Sequence, residues 1–219
     1  MSNLNFKLLI IFSLFSVGCS STKKSISSSS ASVIIVDDEA SNIETNYKTN
    51  SSSNAPTTED AKSYSLLQKK YAGYLRIAPE DIKNIRLYSF IDNWMGTPYL
   101  WGGTTKYGID CSAFVQKLID YVYEVNIPRT SIEQFYTNWI ELFGSTKYLS
   151  EGDMIFFRTI SGTTVSHIGF YLKNNMFVNS SSSRGVSIAN LNDPYWKKKY
   201  VAAGRIKSSM LTNYKKATR

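Results

Sequence analysis

Residues 152–180 read GDMIFFRTISGTTVSHIGFYLKNNMFVNS, and this stretch decides the fold. Asp153–Phe157 is a buried-strand run, mostly apolar, His167–Leu172 is a second and Met176–Ser180 a third. Each has the length of a strand rather than of a helix. Lys173-Asn174-Asn175 between the last two is a hairpin turn in composition. Val186–Ala189 and Tyr200–Ile206 follow as a fourth and a fifth strand. Upstream the texture is helical. Ala61–Lys70, Pro79–Met95, a segment opening at Cys111 and Ser131–Leu142 carry helical patterns. Ile85, Leu87, Tyr88 and Ile91 form the apolar stripe of the second, which Gly96-Thr97-Pro98 stops. Asp110 is a suitable N-cap for the third, and Cys111, Phe114, Leu118 and Val122 line one of its faces before Asn126-Ile127-Pro128 ends it. Trp101-Gly102-Gly103-Thr104 is a loop. Helices first and antiparallel strands afterwards define an α+β domain.

The chain has 219 residues, 42% of them apolar and 14% aromatic. That suffices for one domain with a core and excludes a wholly disordered, collagen-like or coiled-coil chain. Two Cys cannot make a disulfide framework, and two Cys with one His are too few for a zinc finger. Neither a metal nor an organic cofactor is expected.

The amino-terminal part is a different material. Lys7 precedes the apolar run Leu8–Val17 (LLIIFSLFSV), too short to span a bilayer as a stable helix, and Gly18 and Cys19 follow it. Residues 1–18 read as a secretory signal. Ser16-Val17-Gly18-Cys19 resembles a bacterial lipobox, which implies lipidation of Cys19, although Ser16 stands where Leu is commonest. Residues 19–60 form a Ser-rich tether. Between Ser20 and Asp60, twelve of 41 residues are Ser and there is no Trp, Phe or Gly, too little to bury for folding. Such a tether has a root-mean-square span of about 35 Å. Residues 61–84 are expected to be a helical extension, 85–207 the main domain and 208–219 a basic tail.

Net charge is +8 over the chain but +10 over residues 61–219, much of it in Lys197-Lys198-Lys199 and the tail. A basic exported domain suggests an anionic polymer or surface as partner. Nucleic acid is not expected for an exported lipoprotein. The expected location is the cell envelope, with the chain held to a membrane through Cys19, and the expected state is a monomer.

Scarcity marks the chemistry. Apart from Cys19 the chain has one Cys, Cys111, and its single His is His167. A thiol is a poor nucleophile while protonated. A helix start beside the sulfur and an imidazole able to take its proton would both lower its pKa. Both are available if the strand carrying His167 packs against the start of the Cys111 helix. Asn179, twelve residues after His167 and across the hairpin, is placed to accept from the ring and hold its tautomer. Each residue taken alone also has a bland reading. Cys111 suits a small buried apolar group, His167 a structural strand residue and Asn179 a turn residue.

The surrounding strings combine these weak signals. Gly96-Thr-Pro-Tyr-Leu-Trp-Gly-Gly-Thr104, Asp110-Cys-Ser112, Pro128-Arg-Thr-Ser131, Gly152-Asp153, Ser166-His-Ile-Gly169, Asp193-Pro-Tyr-Trp196 and Val201-Ala-Ala-Gly-Arg205 occur in this order. The set resembles the NlpC family of bacterial cell-wall cysteine peptidases over about Ile85 to Ile206. The resemblance implies a papain-like core, with N-terminal helices packed on an antiparallel sheet. It also implies Cys111 as nucleophile, His167 as general base and Asn179 as the third polar residue, where relatives often have His. Tyr99 matches a Tyr beside the oxyanion. Asp110 and Ser112 match positions that bind the free amine of a stem-peptide Ala in some relatives, a role compatible with helix capping. Arg129 and Thr130 lie in a motif that borders the cleft. The implied substrate is the peptide part of peptidoglycan. A non-catalytic peptidoglycan-binding lipoprotein, and an amidase or acyltransferase on the same core, are the alternatives.

Overall fold

A computed structural model describes residues 57–211. The expected secretory segment, Cys19, the expected tether up to residue 56 and the expected basic tail beyond residue 211 lie outside the described residues. Among the described residues no helix is long and apolar enough to cross a membrane.

Helix α1 (Thr58–Leu75) is longer at both ends than the expected Ala61–Lys70. Its start is set by a capping box: Thr57 Oγ1 accepts from the Asp60 N–H, and an Asp60 oxygen accepts from the Thr57 N–H. The boundary drawn at residue 60 therefore falls inside the first turn. Its last turn persists because Tyr71, Ala72 and Leu75 are buried, and Arg76 closes it in the left-handed region at φ 54°. Pro79–Met95 is not one helix. Pro79–Asp81 forms a single 3₁₀ turn, and α2 (Ile85–Trp94) starts afresh behind Asn84, whose side chain accepts from the Leu87 N–H at 3.1 Å. The extension belongs to the main body, since Tyr71, Leu75 and Ile82 share one core with α2.

A short ladder, β1 (Thr104–Thr105) with β2 (Gly108–Ile109), leads into α3 (Cys111–Tyr123). A side chain on Gly103 would collide with the Gly108 backbone, so the paired glycines keep this turn tight against the helix start. Helix α4 stops at Tyr136 (Ser131–Tyr136), and Ile140–Leu142, expected as its last turn, belongs instead to strand β3 (Ile140–Phe143). Thr137 is already extended at φ −69°, ψ 151°, and β3 pairs with the last strand from Ile140↔Ile206 to Phe143↔Ala203. Pairing along a sheet edge overrides the helical periodicity of this segment.

The remaining strands are β4 (Met154–Phe157), β5 (His167–Tyr171), β6 (Met176–Ser181), β7 (Gly185–Asn190) and β8 (Tyr200–Ile206), with helix α5 (Pro194–Lys199) before β8. They and β3 make one antiparallel sheet in the order β3-β8-β4-β5-β6-β7. Alternation divides its side chains between two faces. Met154, Phe156, Ile168, Phe170 and Val178 join the core built with α1, α2 and α3. Ile155, Phe157, Tyr171 and Phe177 join a second cluster, against which Trp196 of α5 packs. The fold is the expected α+β class, N-terminal helices on an antiparallel sheet.

Candidate active site

Asp110 builds the start of α3. It is the N-cap in extended conformation, and its Oδ1 accepts from the Ala113 N–H at 2.8 Å and from Ser112 Oγ at 3.0 Å. Arg129, from the loop before α4, grips the same carboxylate as a fork, with Nη1 to Oδ1 at 3.0 Å and Nη2 to Oδ2 at 2.6 Å. Its Nη1 also donates to Ser112 Oγ at 2.9 Å, and the Gly102 N–H donates to Asp110 Oδ2 at 3.1 Å. Burial opposes charge on Asp110, but Arg129 and the Ala113 N–H outweigh it and hold the carboxyl below its ordinary pKa. Both oxygens of Asp110 are thus engaged. Arg129, given no firm role from sequence, is the residue that locks the cap.

This cap places Cys111 at the first position of α3. The residue is buried, 7% exposed, and its sulfur is reached by the N–H of Ile168 on β5. That N–H is available because β5 and β6 part company: they pair only at Phe170↔Val178 and Tyr171↔Phe177. Gly169 lies at the parting, where any side chain would strike the Phe177 ring. The start of α3 therefore meets β5 beside the opened ladder, next to His167 in the chain.

His167 is the first residue of β5 and is also buried. Its Nε2 lies 3.2 Å from Asn179 Oδ1 on β6. With an acceptor at Nε2, the neutral ring carries its hydrogen there and leaves the Nδ1 lone pair free. Trp196 lies nearly parallel to the imidazole, ring centres 5.3 Å apart and planes 24° apart, and Phe157 flanks it at 5.9 Å. Asn179 is buried, and its Nδ2 has no hydrogen-bond partner among the described residues, so its side chain is hydrogen-bonded only through Oδ1. Trp196 stood in a quoted motif without a role. Its aromatic contact depends on the packing of α5 across the strand ends, which local pattern does not reveal.

The electrostatics differ from the sequence expectation in sign. Burial pushes the Cys111 thiol up to about 11, against the lowering effect of the Ile168, Ser112 and Cys111 N–H groups. Burial likewise pushes His167 down to about 4, only partly offset by Asn179. The helix start and the neighbouring strand are both in place, but desolvation outweighs them, and the resting groups are a neutral thiol and a neutral imidazole. Tyr99, half-buried, is raised mainly by burial and then, once Cys111 is ionised, by the charges of Cys111 and Asp110. An ionised Cys111 would likewise hold the proton on Arg129. The structure thus brings Tyr99, Asp110, Cys111, Ser112, His167 and Asn179 to one end of the sheet. Among the described residues no group of three or more His, Cys, Asp or Glu is placed to hold a metal ion.

The structure thus sets the Cys111 thiol at a helix start against β5, whose first residue His167 has its Nε2 held by an amide. The chain belongs to the NlpC/P60 family, whose model matches residues 96–205. It is 41% identical over 128 residues to the murein DD-endopeptidase MepS/murein LD-carboxypeptidase of Escherichia coli (strain K12), a match spanning 58% of this chain and 65% of that protein. It is 37% identical over 116 residues to the probable endopeptidase NlpC of the same strain, covering 53% of this chain and 73% of that one. A solved NlpC/P60 family protein from Bacillus cereus is similar at 30% identity and a TM-score of 0.49, over 55% of this chain and 39% of that one.

Proposed function

We propose that the protein is a lipid-anchored cysteine endopeptidase that hydrolyses amide bonds in the peptides of peptidoglycan. The observation that carries this reading is the junction of Cys111, at the head of α3, with β5, whose first residue His167 is held by Asn179. The printed names of the relatives, murein endopeptidases among them, support the substrate class.

The reaction follows from the neutral pair. As the Cys111 sulfur attacks the amide carbonyl, its proton passes to His167 Nδ1, and the imidazolium keeps its Nε2–H on Asn179. The tetrahedral oxyanion is stabilised by the Cys111 backbone N–H, with Tyr99 beside it. His167 then gives the proton to the departing amine and leaves a thioester on Cys111. Water, deprotonated by His167, attacks the thioester, releasing the carboxylic acid and restoring the thiol. In this reading Asp110, Ser112 and Arg129, whose hydrogen bonds are spent largely on one another, fix the start of α3, and a stem-peptide amine would have to compete with Arg129 for their oxygens. Cys19 carries the lipid and residues 19–60 the leash, which lets the enzyme reach an insoluble layer.

The test is release of peptides from isolated peptidoglycan, read by mass spectrometry, for the full chain and for Cys111→Ala. Release by the wild type alone supports the reading. Equal release by both removes Cys111 from the reaction, and sacculus binding without release by either assigns the chain to the non-catalytic alternative. Anchoring is tested separately, by incorporation of labelled palmitate that Cys19→Ser abolishes.

A further inference from the structure

We propose that the cavity of about 380 Å³ lined by Arg158, Lys198, Lys199, Tyr200 and Val201 is a binding site for a carboxylate of the substrate peptide. The proposal rests on the endopeptidase reading and adds to it a second point of substrate recognition.

The first argument is place. Phe157 pairs with His167 on one side and with Tyr200 on the other. Neighbouring strands lie about 4.8 Å apart, so the backbones of His167 and Tyr200 are about 10 Å from each other. Arg158 directly follows Phe157, and its N–H donates to the Lys199 carbonyl at 2.8 Å, which ties the end of β4 to the end of α5. The cavity therefore opens at the same end of the sheet as His167, two strands along. A distance of about 10 Å is about three residues of extended peptide.

The second argument is unspent charge. Arg86, Arg129 and Arg205 each have a carboxylate partner, Glu124, Asp110 and Asp153. Among the described residues Arg158, Lys198 and Lys199 have none, and the Arg158 side chain donates only to the Thr164 carbonyl, at 3.4 Å. Three unpaired cations around one concavity attract an anion, and a guanidinium fork suits a carboxylate. Peptide stems carry carboxylates, so a stem crossing the catalytic end would set one here while its scissile amide lies at Cys111.

The test reads binding by full-length Cys111→Ala, which cannot turn over, so it stands whether or not the wild type cleaves. The ligands are a disaccharide-peptide stem with free carboxylates and the same stem fully amidated. At about 50 mM salt, where screening is weak, the free-acid stem is expected to bind about tenfold tighter. Adding Arg158→Ala and Lys198→Ala should abolish that preference, Arg158→Lys should keep most of it, and Lys62→Ala on the exposed side of α1 should leave it intact. Equal binding of both stems, or equal loss in the Lys62→Ala control, overturns the proposal. So does an Arg158- and Lys198-dependent affinity for phosphatidylglycerol vesicles with no difference between the stems, which would assign the cations to a lipid surface. Failure of the endopeptidase reading shows instead as absence of peptide release by the wild type.

Discussion

Asn179 accepts from the His167 ring at 3.2 Å, although the backbones of β5 and β6 are no longer paired at that point. The side chains bridge a gap that the ladder leaves open, and the same gap frees the Ile168 N–H for the Cys111 sulfur. An amide in this place orients the ring without adding charge. Removing it by Asn179→Ala should lower kcat about tenfold or more with little change in KM, while Asn179→His should keep much of the activity. Steady-state kinetics on a defined muropeptide decide this. An unchanged kcat in Asn179→Ala would reduce Asn179 to a packing residue.

The neutral resting pair predicts an unusually wide pH profile. His167 accepts a proton above about 4, and Cys111 holds its own below about 11. kcat/KM should therefore be flat from roughly pH 5 to pH 10, with limbs outside that range. An acid limb near the ordinary imidazole value would mean that His167 is far better solvated than its buried position implies.

Burial of His167 also links stability to pH. Its folded value of about 4 lies below the ordinary 6.5, so as pH falls the unfolded chain takes up the proton first. The stabilisation is fully present above the unfolded value and is lost as pH falls through the folded one, amounting to about 3 kcal/mol. Urea midpoints at stepped pH should show this slope in the wild type and lack it in His167→Gln. Parallel slopes in the two proteins would place the acid sensitivity elsewhere.

Arg129→Ala should destabilise the domain by about 1–3 kcal/mol, because it strips the fork from a mostly buried carboxylate. Arg129→Lys should recover only part of that, since an ammonium cannot reproduce the paired bonds. Chemical denaturation measures both. A cost below roughly 0.5 kcal/mol for Arg129→Ala would show that the other donors to Asp110 suffice.

Trp196→Ala should expose the His167–Asn179 bond to water and lower kcat about tenfold, with Trp196→Phe intermediate. The effect should fall on kcat more than on KM if Trp196 positions the ring rather than contacting the peptide.

Much of this architecture was legible in the chain. The five strands from Met154 to Ile206 stand within a residue or so of their apolar runs, because each run is short and bounded by turn residues. The nucleophile candidate and its cap were legible because Asp110 precedes a clean helical stripe. Three features were not. Ile140–Phe143 carries a helical period but takes its conformation from β8, sixty or more residues away. The break at Ile82–Asn84 depends on the Asn84 cap, which the apolar spacing across Pro79–Met95 concealed. The charge state of Cys111 depends on how deeply α3 and β5 bury it, a balance of desolvation against N–H groups that no local motif encodes.

One consequence of the buried, protonated sulfur concerns chemical survival. Peroxides, disulfides and haloacetamides capture the anion of a cysteine, and at neutral pH Cys111 offers almost none of it. Under the proposed mechanism the side chain should thus persist unmodified in the presence of oxidants and turn nucleophilic only while a bound amide is being attacked.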